Sequence, residues 1–166
     1  MKRRRGTGPS LFHQEHQAEY LVDTSSWIAL AAHDEFETMW PIVSALIAAD
    51  RLFSPSVVIG ECISVEALLA MHVERLRRCD RNDVDFLLKV GTVARKYRRL
   101  SKPDGSKTKA DPFLIALAIL DGYTIVAEET LTNRAIGKIP GVCAREHLRC
   151  VTLAQMLDCE RGAPKI

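Results

Sequence analysis

The chain has 166 residues, 47% of them hydrophobic and only 6% aromatic, with 23 Lys and Arg against 21 Asp and Glu for a net charge of +2. That suits the core of one ordinary domain, and a core of Ala, Leu, Ile and Val is what helices packed on a parallel sheet require. No apolar run reaches the roughly 18 residues of a membrane span, so a membrane-spanning helix is not expected. Five cysteines, an odd number, occur without an apolar stretch after Lys2-Arg3-Arg4-Arg5. Free thiols in a reducing, cytoplasmic setting are therefore expected.

Residues 1–18 are polar, basic and aperiodic and read as a disordered arm; the folded domain is expected over 19–161, with a flexible end at 162–166. Tyr20 to Asp23 is a short apolar strand. Thr24 to Ala32 starts as a helix, with Thr24, Ser25 and Ser26 as caps. Glu37 to Asp50 is a second helix, apolar at Met39, Trp40, Val43, Leu46 and Ile47, with Pro41 in its first turn. Arg51 to Ser54 is a second strand. Ser56 caps a long helix to about Arg78, and Asp80 caps another to about Arg99. Val84, Leu87, Leu88 and Val93 give that last helix its apolar face. Ser101 to Lys109 is a loop by composition.

Asp111-Pro112 opens the next helix, and Gly122 stops it as a C′ residue. Thr124 to Ala127 is a β-branched third strand, Leu131 to Ile136 a short helix, Arg149 to Thr152 a fourth strand and Leu153 to Cys159 a final helix. Strands alternating with helices predict an α/β fold, a three-layer α/β/α sandwich on a short parallel sheet of about four or five strands.

Charge is unevenly spread. Residues 75–109 hold 12 of the 23 Lys and Arg and four acids, a net +8. A basic surface of that kind holds phosphates without regard to sequence, although a solvated helix face has the same composition. The acids flank it, and several stand where an apolar element should be dry. Asp23 ends Tyr20-Leu21-Val22. Glu61 lies within Val57-Val58-Ile59-Gly60-Glu61-Cys62-Ile63. Asp111 opens an apolar helix, and Glu128 and Glu129 end Thr124-Ile125-Val126-Ala127. Ionised carboxylates in apolar surroundings need a partner or a cation.

Open parallel sheets bind ligands beyond the carboxyl ends of their strands. Asp23 and Glu128/Glu129 follow strands directly. The helix that Asp111 starts runs antiparallel to the third strand in a right-handed unit, so its N-terminus reaches the same edge. Glu61, a little over one turn into its helix, reaches it too. Four carboxylates there repel one another without a cation, and hard oxygen ligands favour Mg2+ or Mn2+ over zinc. Structural roles compete: Asp111 as an N-cap before Pro112, Asp23 as a turn residue, and one of Glu128 and Glu129 as a first-turn acid favoured by the helix dipole. Glu61 among apolar neighbours has no such role.

Leu21-Val22-Asp23-Thr24-Ser25-Ser26, Ser54-Pro55 leading to Glu61, Ala110-Asp111-Pro112-Phe113-Leu114-Ile115-Ala116-Leu117-Ala118 and Ile125-Val126-Ala127-Glu128-Glu129 resemble the successive motifs of the PIN domain, the superfamily of VapC-type toxin ribonucleases. Ala110-Asp111-Pro112-Phe113 and Lys138-Ile139-Pro140-Gly141-Val142-Cys143 are most similar to a PIN-like branch without an assigned function. The resemblance covers residues 19–159. It implies a metal-dependent endoribonuclease in which water attacks an RNA phosphodiester with Mg2+ or Mn2+ as cofactor. Asp23, Glu61 and Asp111 match the three core acids, Glu129 the fourth with Glu128 as its alternative, and Ser25 a small polar residue beside the first acid. The chain departs from the pattern at Ala127, where a hydroxyl is common. RNA is the implied substrate, and an antitoxin protein and a second copy of the chain are the implied partners. Arg95, Lys96, Arg98, Arg99, Lys107 and Lys109 are candidates for holding the RNA backbone.

Other readings are weaker. A phosphohydrolase of the haloacid dehalogenase type wants a second Asp at position 25, which is Ser. Cys143, His147, Cys150 and Cys159 match no common zinc spacing. A non-catalytic PIN-like module that binds nucleic acid or protein is the alternative from a different class, and the intact acid set speaks against it.

Overall fold

The computed structural model describes residues 17–100, 110–129 and 137–162. In chain order these form β1 (Tyr20–Val22), α1 (Thr24–Ala31), α2 (Phe36–Ala48), β2 (Leu52–Phe53), α3 (Ser56–Ile59), α4 (Glu66–Leu69), α5 (Val73–Leu76), α6 (Val84–Lys96), α7 (Asp111–Asp121), β3 (Thr124–Val126), α8 (Ile139–Arg145), β4 (Cys150–Val151) and α9 (Leu153–Gly162). The sheet order is β2-β1-β3-β4, and every pairing is parallel. The expected α/β/α fold on a short parallel sheet is the observed one. The helix expected over Leu131 to Ile136, the loop Ser101 to Lys109 and most of the arm lie outside the described residues.

Register decides what each face of the sheet touches, because aligned residues of parallel strands share a face. Tyr20 pairs with Leu52 and Thr124, and Val22 with Val126, which pairs in turn with Val151. This face meets α1, α2 and α9, where Val22 and Leu52 pack among Trp27, Leu30, Val43 and Met156. Leu21, Phe53, Ile125 and Cys150 share the other face, on the side of α6, α7 and α8. Strands β1, β2 and β3 are buried throughout, which is why they read as apolar runs rather than alternating ones.

Local chemistry explains most element ends. Asp23 is the N-cap of α1, its side chain accepting from the Ser25 N–H. In α2, Met39, Val43, Leu46 and Ile47 are buried at helical spacing. Pro41 lies inside α2 rather than in its first turn, because the helix begins at Phe36. Gly122 closes α7 in the left-handed region at φ 81°, as its sequence position suggests. Thr152 and Gln155 form a reciprocal capping box at the start of α9: the Thr152 N–H donates to Gln155 Oε1 at 2.9 Å and the Gln155 N–H to Thr152 Oγ1 at 3.2 Å.

Three further expectations fail. The long helix from Ser56 to Arg78 is a string of short pieces: α3, α4 and α5 alternate with 3₁₀ turns at Ile63–Val65, Ala70–His72 and Arg77–Cys79. Val57, Val58, Ile59, Ile63 and Val65 are β-branched and Gly60 is flexible, so continuous helix is poorly supported. Asp80 does not cap α6; Asp83 does, accepting from the Phe86 N–H at 3.0 Å, while Asp80 takes the Ser56 N–H and hydroxyl at the start of α3. The apolar face of α6 is also different. Phe86 and Val93 are buried, with Phe86 edge-on to Phe113 of α7, whereas Val84, Leu87 and Leu88 are exposed.

Candidate functional site

From β1 the chain crosses to β2 on one side, and the later strands β3 and β4 lie on the other. The switch between β1 and β3 leaves a crevice at their carboxyl ends, where open α/β sheets bind ligands. Asp23 stands at this point. Its N–H donates to the Val126 carbonyl at 3.0 Å, so the first acid is clamped to the end of β3.

The Asp23 carboxylate is buried at 7% exposure and is held by Ser25, whose hydroxyl donates to Oδ2 at 2.7 Å. The same Ser25 oxygen accepts the Glu128 N–H at 3.1 Å. One small hydroxyl thus joins the end of β1 to the chain leaving β3. Burial raises the Asp23 carboxyl above its ordinary range, against the Ser25 and Thr24 hydrogen bonds, and the Glu129 charge raises it further.

Asp111 is the first residue of α7 and is 8% exposed. Among the described residues it accepts no side-chain hydrogen bond and forms no ion pair. The structural role considered for it, a side-chain cap, is absent. Burial pushes its carboxyl up to about 8, helped by the charges of Asp23, Glu129 and Glu61 and opposed by Lys138. The other three expected acids therefore all lie within the electrostatic reach of Asp111. Glu61 follows α3 instead of standing within a long helix, and its Oε2 accepts from Thr24 Oγ1 at 3.3 Å.

Neighbours separate the two adjacent glutamates. Glu128 Oε1 accepts the Leu153 N–H at the start of α9 at 2.7 Å and the Ser26 hydroxyl at 3.3 Å. It serves the helix terminus. Glu129 accepts from Lys138 Nζ at 2.6 Å and from the Ile139 N–H at 3.0 Å, and it is a charge felt by both Asp23 and Asp111. Glu129 is thus the member that faces the other acids.

The donor set fits a hard divalent cation in its chemistry: carboxylates only, two of them buried, one without a partner among the described residues. Among the described residues, however, no three of His, Cys, Asp and Glu stand close enough together to hold a metal ion as placed. The acids share a field without meeting at one point. Glu129 is paired instead with Lys138, beside the start of α8.

Lys138 and Cys150 were not singled out for this site from the sequence. Lys138 is raised by its hydrogen bond to Glu129 and by the charges of Glu129, Asp111 and Asp23. Cys150 stands in β4 within the field of Glu129 and Asp23. Lys138 stands in the sequence only as part of the run Lys138 to Cys143, and the return of the chain into α8 is what brings it to the last acid, nine residues earlier.

The expected RNA-binding residues divide. Arg95, Arg98 and Arg99 are exposed and have no carboxylate partner among the described residues. Lys96 is committed to Glu146 at 2.6 Å, beside the Tyr97 hydroxyl, which donates to the same carboxylate. Lys107 and Lys109 lie outside the described residues.

No curated protein and no solved structure matches the chain. A family model does, over residues 20–163, from the first strand through the last helix, and the chain belongs to that family, described as a domain of unknown function, DUF4411.

Proposed function

We propose that the chain is a PIN-type endoribonuclease that depends on a divalent cation and hydrolyses RNA phosphodiester bonds at Asp23, Glu61, Asp111 and Glu129. The observation that carries this reading is Asp111: a buried carboxylate without a side-chain hydrogen bond among the described residues, in the field of three more carboxylates, beside the switch point of a parallel sheet. Asp23 and Asp111 would hold Mg2+ or Mn2+, with Glu61 and Glu129 completing the set. The chemistry a cation supplies there is activation of water and neutralisation of phosphate charge.

The chain's own groups do the rest. Ser25 fixes the Asp23 carboxylate in one orientation through its 2.7 Å hydrogen bond. Thr24 steadies Glu61. Lys138, 55% exposed at its side chain, can exchange Glu129 for an incoming phosphate and so free that carboxylate for the cation. By the resemblance, the biological role is the toxin of a VapC-type pair acting in the cytoplasm, restrained by an antitoxin and working as a homodimer. Among the described residues no helix is long and apolar enough to cross a membrane.

The test is cleavage of RNA by purified protein with Mg2+ or Mn2+. Cleavage should stop with EDTA and in Asp23→Asn and Asp111→Asn, while the circular dichroism spectrum is unchanged. Wild-type rates in Asp23→Asn would reject the site. Binding of RNA in EDTA with no cleavage under either ion would leave the non-catalytic module as the better reading. Induced expression in a bacterium tests the toxin role: growth should arrest with wild type and continue with Asp23→Asn.

A further inference from the structure

A second site lies at the far end of α8. Arg95, Lys96, Tyr97, Arg98, Arg99 and Arg145 line a surface cavity of 320 Å³. Lys96 and Tyr97 turn to Glu146, which neutralises Lys96 and anchors the last turn of α6 against the end of α8. The four arginines are left over. All are exposed, and none has a carboxylate or hydrogen-bond partner among the described residues. Most described arginines elsewhere in the fold are paired, Arg51 with Glu160, Arg75 and Arg78 with Asp50, and Arg81 with Asp83 and Asp121, and Arg149, which is not, stands alone rather than in a cluster of four. Four guanidinium groups round one cavity repel one another, and an anion with several oxygens relieves that repulsion.

The cavity is connected to the acids. Arg99 packs against Gly137, so closely that a Cβ on Gly137 would lie 2.5 Å from the Arg99 Cβ. The next residue, Lys138, holds Glu129. The basic turn 97–100 therefore runs beside α8 from Glu146 at one end to Gly137 at the other. Seven residues of helix, at roughly 1.5 Å each, separate the two sites by about 10 Å.

We propose that Arg95, Arg98, Arg99 and Arg145 form a phosphate-backbone site that holds a single strand of RNA next to the bond presented to the acids. The substrate rests on the function proposed above; the anion site rests on the arginines. The contacts are to phosphates and carry no base preference. Lys138 lies on the path between the two sites.

The experiment measures binding of a fluorescein-labelled single-stranded RNA of mixed sequence to the full chain in EDTA, across a range of salt. Arg98→Ala combined with Arg145→Ala should weaken binding about tenfold or more and lower the slope of log K against log salt by about 1.4, or roughly 0.7 per phosphate contact. Arg98→Lys with Arg145→Lys should keep most of the slope, which separates lost charge from lost folding. Arg75→Ala with Arg78→Ala, away from the cavity, should bind like wild type. Wild-type affinity and slope in the alanine pair would overturn the proposal. So would displacement of the RNA by polyglutamate as readily as by unlabelled RNA, since that marks a protein-docking surface. Loss of binding in the alanine pair, in a protein that never cleaves RNA with Mg2+ or Mn2+, would reject the nuclease reading and keep this site.

Discussion

Burial and three neighbouring carboxylates push Asp111 from 3.8 up to about 8. The folded protein thus keeps a proton on Asp111 that the unfolded chain releases near pH 4. Between those values the native state binds more protons than the unfolded state, so stability falls as pH rises from about 4 to about 8 and is level above that. The slope is at most about 1.4 kcal/mol per pH unit for one proton. Urea denaturation of the EDTA-treated protein at stepped pH should show this decline, and Asp111→Asn should flatten it and be the more stable protein at pH 8. Adding Mn2+ at pH 8 should raise the melting temperature of wild type and leave Asp111→Asn nearly unmoved. Asp23 and Asp111 could be singled out from sequence because each ends or opens an apolar run. Glu128 and Glu129 could not be separated with the same force, because their difference lies in Leu153, Ser26 and Lys138, partners that only the folded chain brings near.

Whole elements were legible where one local signal sufficed. All four strands fall within a residue or two of their expected ends, since each is a short apolar run between turn residues. Helix α6 shows where local pattern misleads. Val84, Leu87 and Leu88 have helical spacing but stand 70%, 54% and 62% exposed, while Phe86, between them, packs on Phe113. Asp83 as N-cap rather than Asp80 fixes where the helix starts, and α7 selects the stripe it covers. Phe86→Ala should therefore cost about 3–5 kcal/mol in chemical denaturation, and Leu87→Ser within about 0.5 kcal/mol of nothing. The join between α6 and α8 is tight as well. Gly137→Ala would force its Cβ onto the Arg99 Cβ, which sits at the backbone and cannot swing aside. A loss of about 1–3 kcal/mol is expected, with weaker RNA binding because the turn carrying Arg98 and Arg99 must move.

Across the whole molecule, the two ends of the sheet differ in how their charges are partnered. At the amino end, Arg51 makes a two-pronged pair with Glu160 of α9 at 2.8 and 2.7 Å, and the Tyr20 hydroxyl donates to the same carboxylate at 2.8 Å. Arg51 also donates to the Ala18 carbonyl, so one guanidinium ties the chain entering β1 to the chain entering β2 and to the last helix. Burial alone would raise Glu160, yet Arg51 and Tyr20 hold it below the usual carboxylate range. Arg51, Glu160 and the Tyr20 hydroxyl thus satisfy one another at that end. At the carboxyl end, Asp111 has no partner among the described residues and Asp23 is raised rather than lowered. The Arg51–Glu160 edge contributes stability, and the acid edge is the one assigned to catalysis by the function proposed above. The two should separate by mutation. Glu160→Ala leaves Arg51 and the Tyr20 hydroxyl without their acceptor and should cost about 3 kcal/mol, while metal-dependent cleavage per folded molecule stays near wild type. Asp23→Asn should show the reverse, near-normal stability with cleavage abolished. Thermal denaturation and RNA cleavage measured on the same preparations would show it. Equal loss of cleavage in both variants, after correction for the folded fraction, would mean that the two edges are coupled through the sheet.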